Sequence, residues 1–406
     1  MNTSDSIRAL LVDPSLFVAP YDAELHQGLT AAGVEPRWTV RPWRMGELPL
    51  LSKAAVDQLF YRRADAWTFL PRQVRALVKG LSHFFGLARL LRRAAEWRAD
   101  VVHFQWAVVP ALDALAFVLL QRKRPVILTV HDTVPFNGER LSWMQTWALH
   151  LPMRKADALI VHTAAGKETL QRQGFQEEKI WVIPHGPLTL QATPSPRSRL
   201  QRDARTWECV LCGEIKHYKG ADLLVEAVGR LPESVRRQAH FVIAGIPRID
   251  ITALRERIAA LDLRGCVEIR DWRHSDQEVA DLLSGANCIV FPYRQIDASG
   301  VYFLVKGLGK WLIATRVGIF AEDIIEGEHG ELIPPNDPQA LAAALEEAIT
   351  QRKAARKSVG GPDSWAAIGQ TTRQLYTDVL ARHRQAAGAR NTSSRPARET
   401  HRKLTS

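Results

Sequence analysis

The chain has 406 residues, 46% of them hydrophobic and 24% charged, with a formal net charge of +11. At about 150 residues per domain, this suits two globular domains and a tail. It excludes a chain too polar to bury a core, and no apolar run approaches the roughly 20 residues that span a bilayer.

The N-terminal run Ile7 to Val12 is too short for a signal-peptide core, and Asp13 and Pro14 follow it at once. The expected location is the cytoplasm. The next signals alternate short apolar runs with helical stretches. Ile7–Val12, Val101–Phe104, Val126–Val130, Ala158–Val161 and Ile180–Ile183 read as buried strands. Tyr21–Ala32, Pro110–Gln121 and Ala164–Gln173 read as helices between them. The stretch 71–97 sets Val74, Leu77, Leu81, Phe84 and Leu91 at helical spacing beside Arg72, Arg75, Arg92 and Arg93. That pattern suits a helix lying in an anionic membrane interface, or an amphipathic helix packed on its own domain.

Pro187 to Arg205 is rich in Pro, Ser and Arg without periodicity, which marks a linker. Beyond it Cys209–Cys212, His240–Ala244, Val267–Ile269, Cys288–Phe291 and Leu312–Ala314 repeat the strand pattern. Continuous apolar strands are covered on both faces, hence parallel. The organisation expected is an α/β domain over 1–186, a linker over 187–205, a second α/β domain over 206–360, a helix over 361–385 and a disordered basic tail over 386–406. The helix either closes the second domain or crosses back to the first.

Cys209 and Cys212 fall in an apolar run, and no second pair stands at zinc spacing. The four cysteines therefore read as structural. The positive charge concentrates between Arg62 and Arg98 and in the tail, which points to a polyanion: nucleic acid, anionic lipid or a phosphate-bearing substrate. A nucleic-acid face needs continuous basic residues with interleaved aromatics, and the split charge argues against one.

Three segments carry chemistry. Gly213, Lys216 and Lys219 lie in a loop between the strand ending at Cys212 and a helix over Ala221–Leu231; lysines and helix amides there suit a diphosphate. Ser299, Gly300 and Val301 open a helix after the strand Cys288–Phe291, and their hydroxyl and amides suit a phosphate, or simply an N-cap. His131-Asp132 follows Pro125–Val130, at the carboxyl end of a strand.

With Val182-Ile-Pro184-His185-Gly186, Ala314-Thr315-Arg-Val-Gly318 and Gly330-Glu-Leu-Ile-Pro334, these segments form an ordered series along nearly the whole chain. The series resembles the retaining GT-B glycosyltransferases of family four, in the subset with a Ser-Gly-Val loop. The resemblance implies a GT-B fold, two doubly wound Rossmann-like domains facing a cleft. It implies transfer of a sugar, most simply a hexose, from a nucleotide-sugar donor to a glycan or lipid-linked acceptor in polysaccharide or glycolipid synthesis. It assigns donor binding to Gly213, Lys216, Lys219, Ser299, Gly300 and Val301. It puts His131 beside the transferred sugar and matches Asp297 to the first acid of a Glu-seven-Glu motif. Those two are the expected catalytic residues. Neither a metal nor another cofactor is expected.

The chain departs from the family in three places. The second motif acid falls at Val305, Trp311 replaces the usual proline, and Asp13-Pro14-Ser15-Leu16 lacks a glycine pair. Three other readings stay open: a nucleotide-sugar epimerase on the same fold, a non-catalytic GT-B subunit and, more remotely, a nucleic-acid-binding protein.

Overall fold

The computed structural model describes residues 6–45, 47–62, 71–133, 143–195, 206–356, 359 and 364–393. The linker stretch 196–205, the residues 134–142 after the His131 segment, and the tail beyond 393 lie outside them.

The first domain is a seven-stranded parallel sheet in the order β3-β2-β1-β4-β5-β6-β7. Its strands are β1 (Ile7–Asp13), β2 (Val34–Val40), β3 (Val56–Gln58), β4 (Val101–Phe104), β5 (Val126–Thr129), β6 (Ala158–Val161) and β7 (Ile180–Val182). β4, β5 and β6 are buried at every residue, including the polar His103 and Thr129, which share a 2.7 Å hydrogen bond. Helices α1 (Ala19–Ala31), α2 (Arg72–Glu96), α3 (Pro110–Leu120), α4 (Trp143–Lys155) and α5 (Ala164–Arg172) cover the two faces. β2 and β3 carry no run a sequence reading would select: β2 is Val-Glu-Pro-Arg-Trp-Thr-Val, and its register sets Pro36 opposite Ala9.

The second domain is a six-stranded parallel sheet in the order β10-β9-β8-β11-β12-β13. It comprises β8 (Trp207–Cys212), β9 (Ala239–Ala244), β10 (Val267–Arg270), β11 (Cys288–Phe291), β12 (Trp311–Thr315) and β13 (Gly330–Ile333). Its helices are α6 (Ala221–Arg230), α7 (Glu233–Arg236), α8 (Thr252–Ala260), α9 (Asp276–Gly285), α10 (Gly300–Val305), α11 (Gly318–Asp323) and α12 (Pro338–Thr350). Cys209, Cys212 and Cys288 are buried, and all four cysteines are free. Trp311 fills the core as the first residue of β12.

α13 (Trp365–Ser393) returns to the first domain. Its Ile368, Leu375, Tyr376 and Val379 pack with Tyr21, Leu25 and Leu29 of α1 under the sheet. Tyr376 reaches His103 of β4, the hydroxyl sharing a 2.7 Å hydrogen bond with Nδ1. The crossing ties the domains a second time, besides the connecting chain. That chain also adheres: Leu188 N donates to Phe303 O at 2.9 Å, and Leu188 and Leu190 pack on the second domain.

α2 carries two apolar faces. One is buried through Leu87, Leu90 and Ala94. On the opposite side of the helix, at i, i+3, i+7 and i+10, Val74, Leu77, Leu81 and Phe84 face solvent, with Phe85 beside them, each 44–65% exposed. Among the described residues no helix is long and apolar enough to cross a membrane.

Candidate active site

Both sheets turn the carboxyl ends of their strands toward one cleft. A cavity of about 450 Å³ lies there, walled by Tyr21, Trp106, His131 and Asp132 of the first domain and by Ala298, Gly300, Val301 and Phe303 of the second. Parallel α/β sheets bind ligands at these ends because the loops there are free to diverge.

The first-domain wall is a stack of rings, each delivered by a different strand end. Trp106 follows β4 and lies parallel to the His131 imidazole at 5.0 Å. His131 follows β5, and its Nδ1 shares a 3.1 Å hydrogen bond with Nε2 of His162, which follows β6. His162 Nδ1 donates to Ile183 O at 3.0 Å. His185 stacks on Phe303 of the second domain at 3.6 Å. Burial holds His131 well below the usual imidazole range, with the neighbouring histidines adding to the effect. It pushes His162 down to about 4. His131 is therefore neutral near pH 7, and its Nε2 is buried with no hydrogen-bond partner among the described residues. A neutral ring with a free nitrogen, beside aromatic faces, can approach a positively polarised sugar without repelling it.

Asp132 lines the same cavity; the sequence marked it with His131 at the strand end but gave it no separate role. Burial raises its carboxyl to about 6, with Asp297 adding and Lys216 opposing. Tyr21, Trp106, His162 and His185 also went without a role. Their signal was position, immediately beyond a strand or at a helix start, but no local pattern shows that these ends converge.

Of the two loops expected to bind the donor, Gly300 and Val301 line the second-domain wall, and the Gly213–Lys219 loop lies behind Val301. Lys219 is buried, its Nζ 5.4 Å from the Tyr293 ring centre. No carboxylate of the described residues pairs with it, and burial holds its ammonium below the usual lysine range. A side chain at Gly213, where φ is +112°, would stand 2.6 Å from Lys219 Nζ and 3.0 Å from Val301 Cγ2. So Gly213, Lys219 and Val301 are brought together around a small space, and only glycine leaves it open. Lys216 is paired with Glu214 at 2.9 Å and lines a separate pocket with His217, Asp222 and Arg257. Arg294 fixes the arrangement: its guanidinium donates to His217 O at 2.6 Å and holds Asp222 of α6 at 2.6 Å. Ser299 caps α10 by accepting from Tyr302 N at 3.5 Å. That leaves the amides of Gly300 and Val301 as first-turn donors without intrahelical partners.

Asp297 occupies a different position from a carboxylate open to the cleft. Its Oδ2 accepts from the Thr133 hydroxyl at 2.6 Å and from the Thr133 backbone N–H, so it joins the two domains. Val305, at the place of the second motif acid, is 1% exposed in the hydrophobic core. The adjacent Lys306 is bound at 2.7 Å to Asp323. Among the described residues no cluster of three or more His, Cys, Asp or Glu is arranged to hold a metal.

Two Rossmann-like domains facing one cleft, joined by a returning C-terminal helix, define the GT-B fold. Residues 21–187 match a model of the family described as Glycosyltransferase Family 4, and residues 207–351 match Glycosyl transferases group 1. Glycogen synthase of Mycobacterium tuberculosis is 25% identical over 314 residues, covering 71% of each chain. The structure of Anabaena HepE in complex with UDP and glucose superposes with a TM-score of 0.65 at 18% identity, covering 95% of this chain and all of that one. Sucrose-phosphate synthase of Thermosynechococcus elongatus gives 0.68 at 19% identity, over 92% and 99%. The chain is a GT-B glycosyltransferase of family-four type.

Proposed function

We propose that this glycosyltransferase moves a hexose from a nucleotide-sugar donor to a glycan or lipid-linked acceptor, with retention of configuration and without a metal. The observation that carries this is the cavity between the two sheets. Its second-domain wall includes Val301, which Gly213 brings close to Lys219, buried and without a carboxylate partner among the described residues, and its first-domain wall includes a neutral His131. Departure of a nucleoside diphosphate builds negative charge on the second-domain side. Lys219, Lys216 and the amides of Gly300 and Val301 would stabilise it as it develops. His131 and its backbone carbonyl would face the positive charge on the sugar. HepE, a protein of the same fold, is described with UDP and glucose, which supports a nucleotide-sugar donor here.

The outer face of α2 supports work at an anionic membrane surface. Five large apolar side chains face solvent there, and Arg89 and Arg92 project from the same helix. Apolar insertion and lipid phosphate attraction would act together. In this reading the enzyme would work from the cytoplasm, at the inner face of the membrane.

The test is a panel of UDP-, GDP- and ADP-sugars, screened by thermal shift and then by nucleotide release with and without acceptors. A ligand at 100 times its dissociation constant adds about 2.7 kcal/mol. Turnover should survive EDTA and yield a retained anomer. His131→Ala should lose about tenfold or more in turnover, near 1.4 kcal/mol of transition-state stabilisation, with nucleotide affinity little changed. A new nucleotide sugar made without acceptor would identify an epimerase. Binding without any turnover would identify a non-catalytic subunit. Stabilisation by no nucleotide would reject the proposal.

A further inference from the structure

Two carboxylates of the second domain grip the same corner of the first. Asp297 holds Thr133, as described. Further out, Glu322 near the end of α11 accepts from Ala164 N at 3.1 Å through Oε2 and from Ala165 N at 3.0 Å through Oε1. These amides open α5. Thr163 caps that helix by accepting from Gly166 N at 2.9 Å. Glu322 therefore takes the two remaining first-turn donors, where orphan N–H groups and the positive end of the helix dipole favour a carboxylate.

The two grips are mechanically joined on both sides. In the second domain Ile319 N, at the start of α11, donates to Asp297 O at 3.0 Å. In the first domain a side chain at Gly166 would meet Thr133 Cγ2 at 3.4 Å, and Gln173 of the same segment donates to Thr133 O at 3.4 Å. Short contacts thus link Glu322's two flanking elements to the Thr133 junction, two residues from His131.

We propose that Glu322 is a positioning residue. It clips the second domain onto the first turn of α5 and sets the spacing between His131 and the Ala298–Val301 wall. The inference rests on the cavity's being the transfer site. Glu322 is solvent-exposed, so the clip is weak enough to open and reclose with each turnover, letting substrates in and products out.

The experiment uses the full chain, with a fluorophore pair reporting the distance between the domains. Small-angle scattering provides a second measure. Glu322→Ala should shift the distances to longer values and reduce turnover at saturating donor by about threefold to tenfold, the range expected for a lost helix-capping interaction. Glu322→Gln should lie between, because its amide oxygen still accepts one of the two N–H groups. Unchanged distances overturn the proposal. So does a lowered melting temperature with unchanged distances, since Glu322 would then only cap α5. Wild type that neither binds nucleotide nor turns over would reject the transfer-site reading instead, and the distance shift would still test the clip.

Discussion

Asp297 and Thr133 lie 164 positions apart, yet one oxygen of Asp297 receives both the hydroxyl and the backbone N–H of Thr133. A carboxylate expected to face the transferred sugar thus bridges the two domains at the cleft. Its effect on catalysis should pass through the position of His131.

Thr133→Val tests this relationship. It removes a hydrogen bond to a carboxylate, worth about 1.5–3 kcal/mol, and keeps the backbone donor. Turnover should fall about tenfold, with nucleotide affinity within about twofold of wild type. A loss confined to nucleotide affinity would move Asp297 into the donor site. Titration calorimetry beside steady-state kinetics separates the two.

Lys219 should act on binding. Its ammonium is buried with no carboxylate partner among the described residues, so an anionic ligand would be its first strong partner. Lys219→Ala should weaken nucleoside diphosphate binding by about 1.5–3 kcal/mol. Lys216→Ala should weaken it less, because Lys216 is already paired with Glu214. Equal affinity in wild type and both variants, by calorimetry, would remove this loop from the site.

Asp132 gives a stability signature with a definite sign. Burial raises its folded-state pKa to about 6, above the unfolded value of about 3.9. The folded protein therefore binds the proton more tightly. Wild type loses stability from this group as pH rises from about 4 to about 6, and the loss is complete above that window. Asp132→Asn carries no such charge. Its melting temperature should match wild type near pH 4 and exceed it at pH 7 to 8. Parallel melting curves across the range would show that the carboxyl is not desolvated.

The outer face of α2 should govern attachment to lipid. Replacing Leu77, Leu81, Phe84 and Phe85 with Ser should reduce sedimentation with anionic vesicles at least tenfold and leave nucleotide affinity unchanged. The buried face of the helix is separate, through Leu87, Leu90 and Ala94, so the fold should persist. Replacing Arg89 and Arg92 with Gln should weaken vesicle binding by about 1 kcal/mol for each residue near the surface. Undiminished sedimentation of both variants would make the strip an ordinary surface.

What the sequence determined by itself is local. β4, β6 and β11 have the bounds their mostly apolar runs mark, because a strand covered on both faces takes apolar residues or polar ones with a buried partner, as His103 has. The two loops expected to bind the donor were marked in a related way: Gly213 to Lys219 and Ser299 to Val301 each lie within a few residues of a strand end and a helix start. Even there, sequence did not show that Val301 closes on Lys219 across Gly213. β2 was illegible because Pro36, Glu35 and Arg37 break its apolar run, and pairing with β1 makes it a strand. The tertiary structure alone decided the partners. It carried α13 back onto α1, put Val305 into the core, stacked Trp106 on His131 and joined Asp297 to Thr133. A helical stripe or a strand end shows that a residue needs a neighbour. Which neighbour it meets depends on where chain segments tens to hundreds of residues away are brought by the fold.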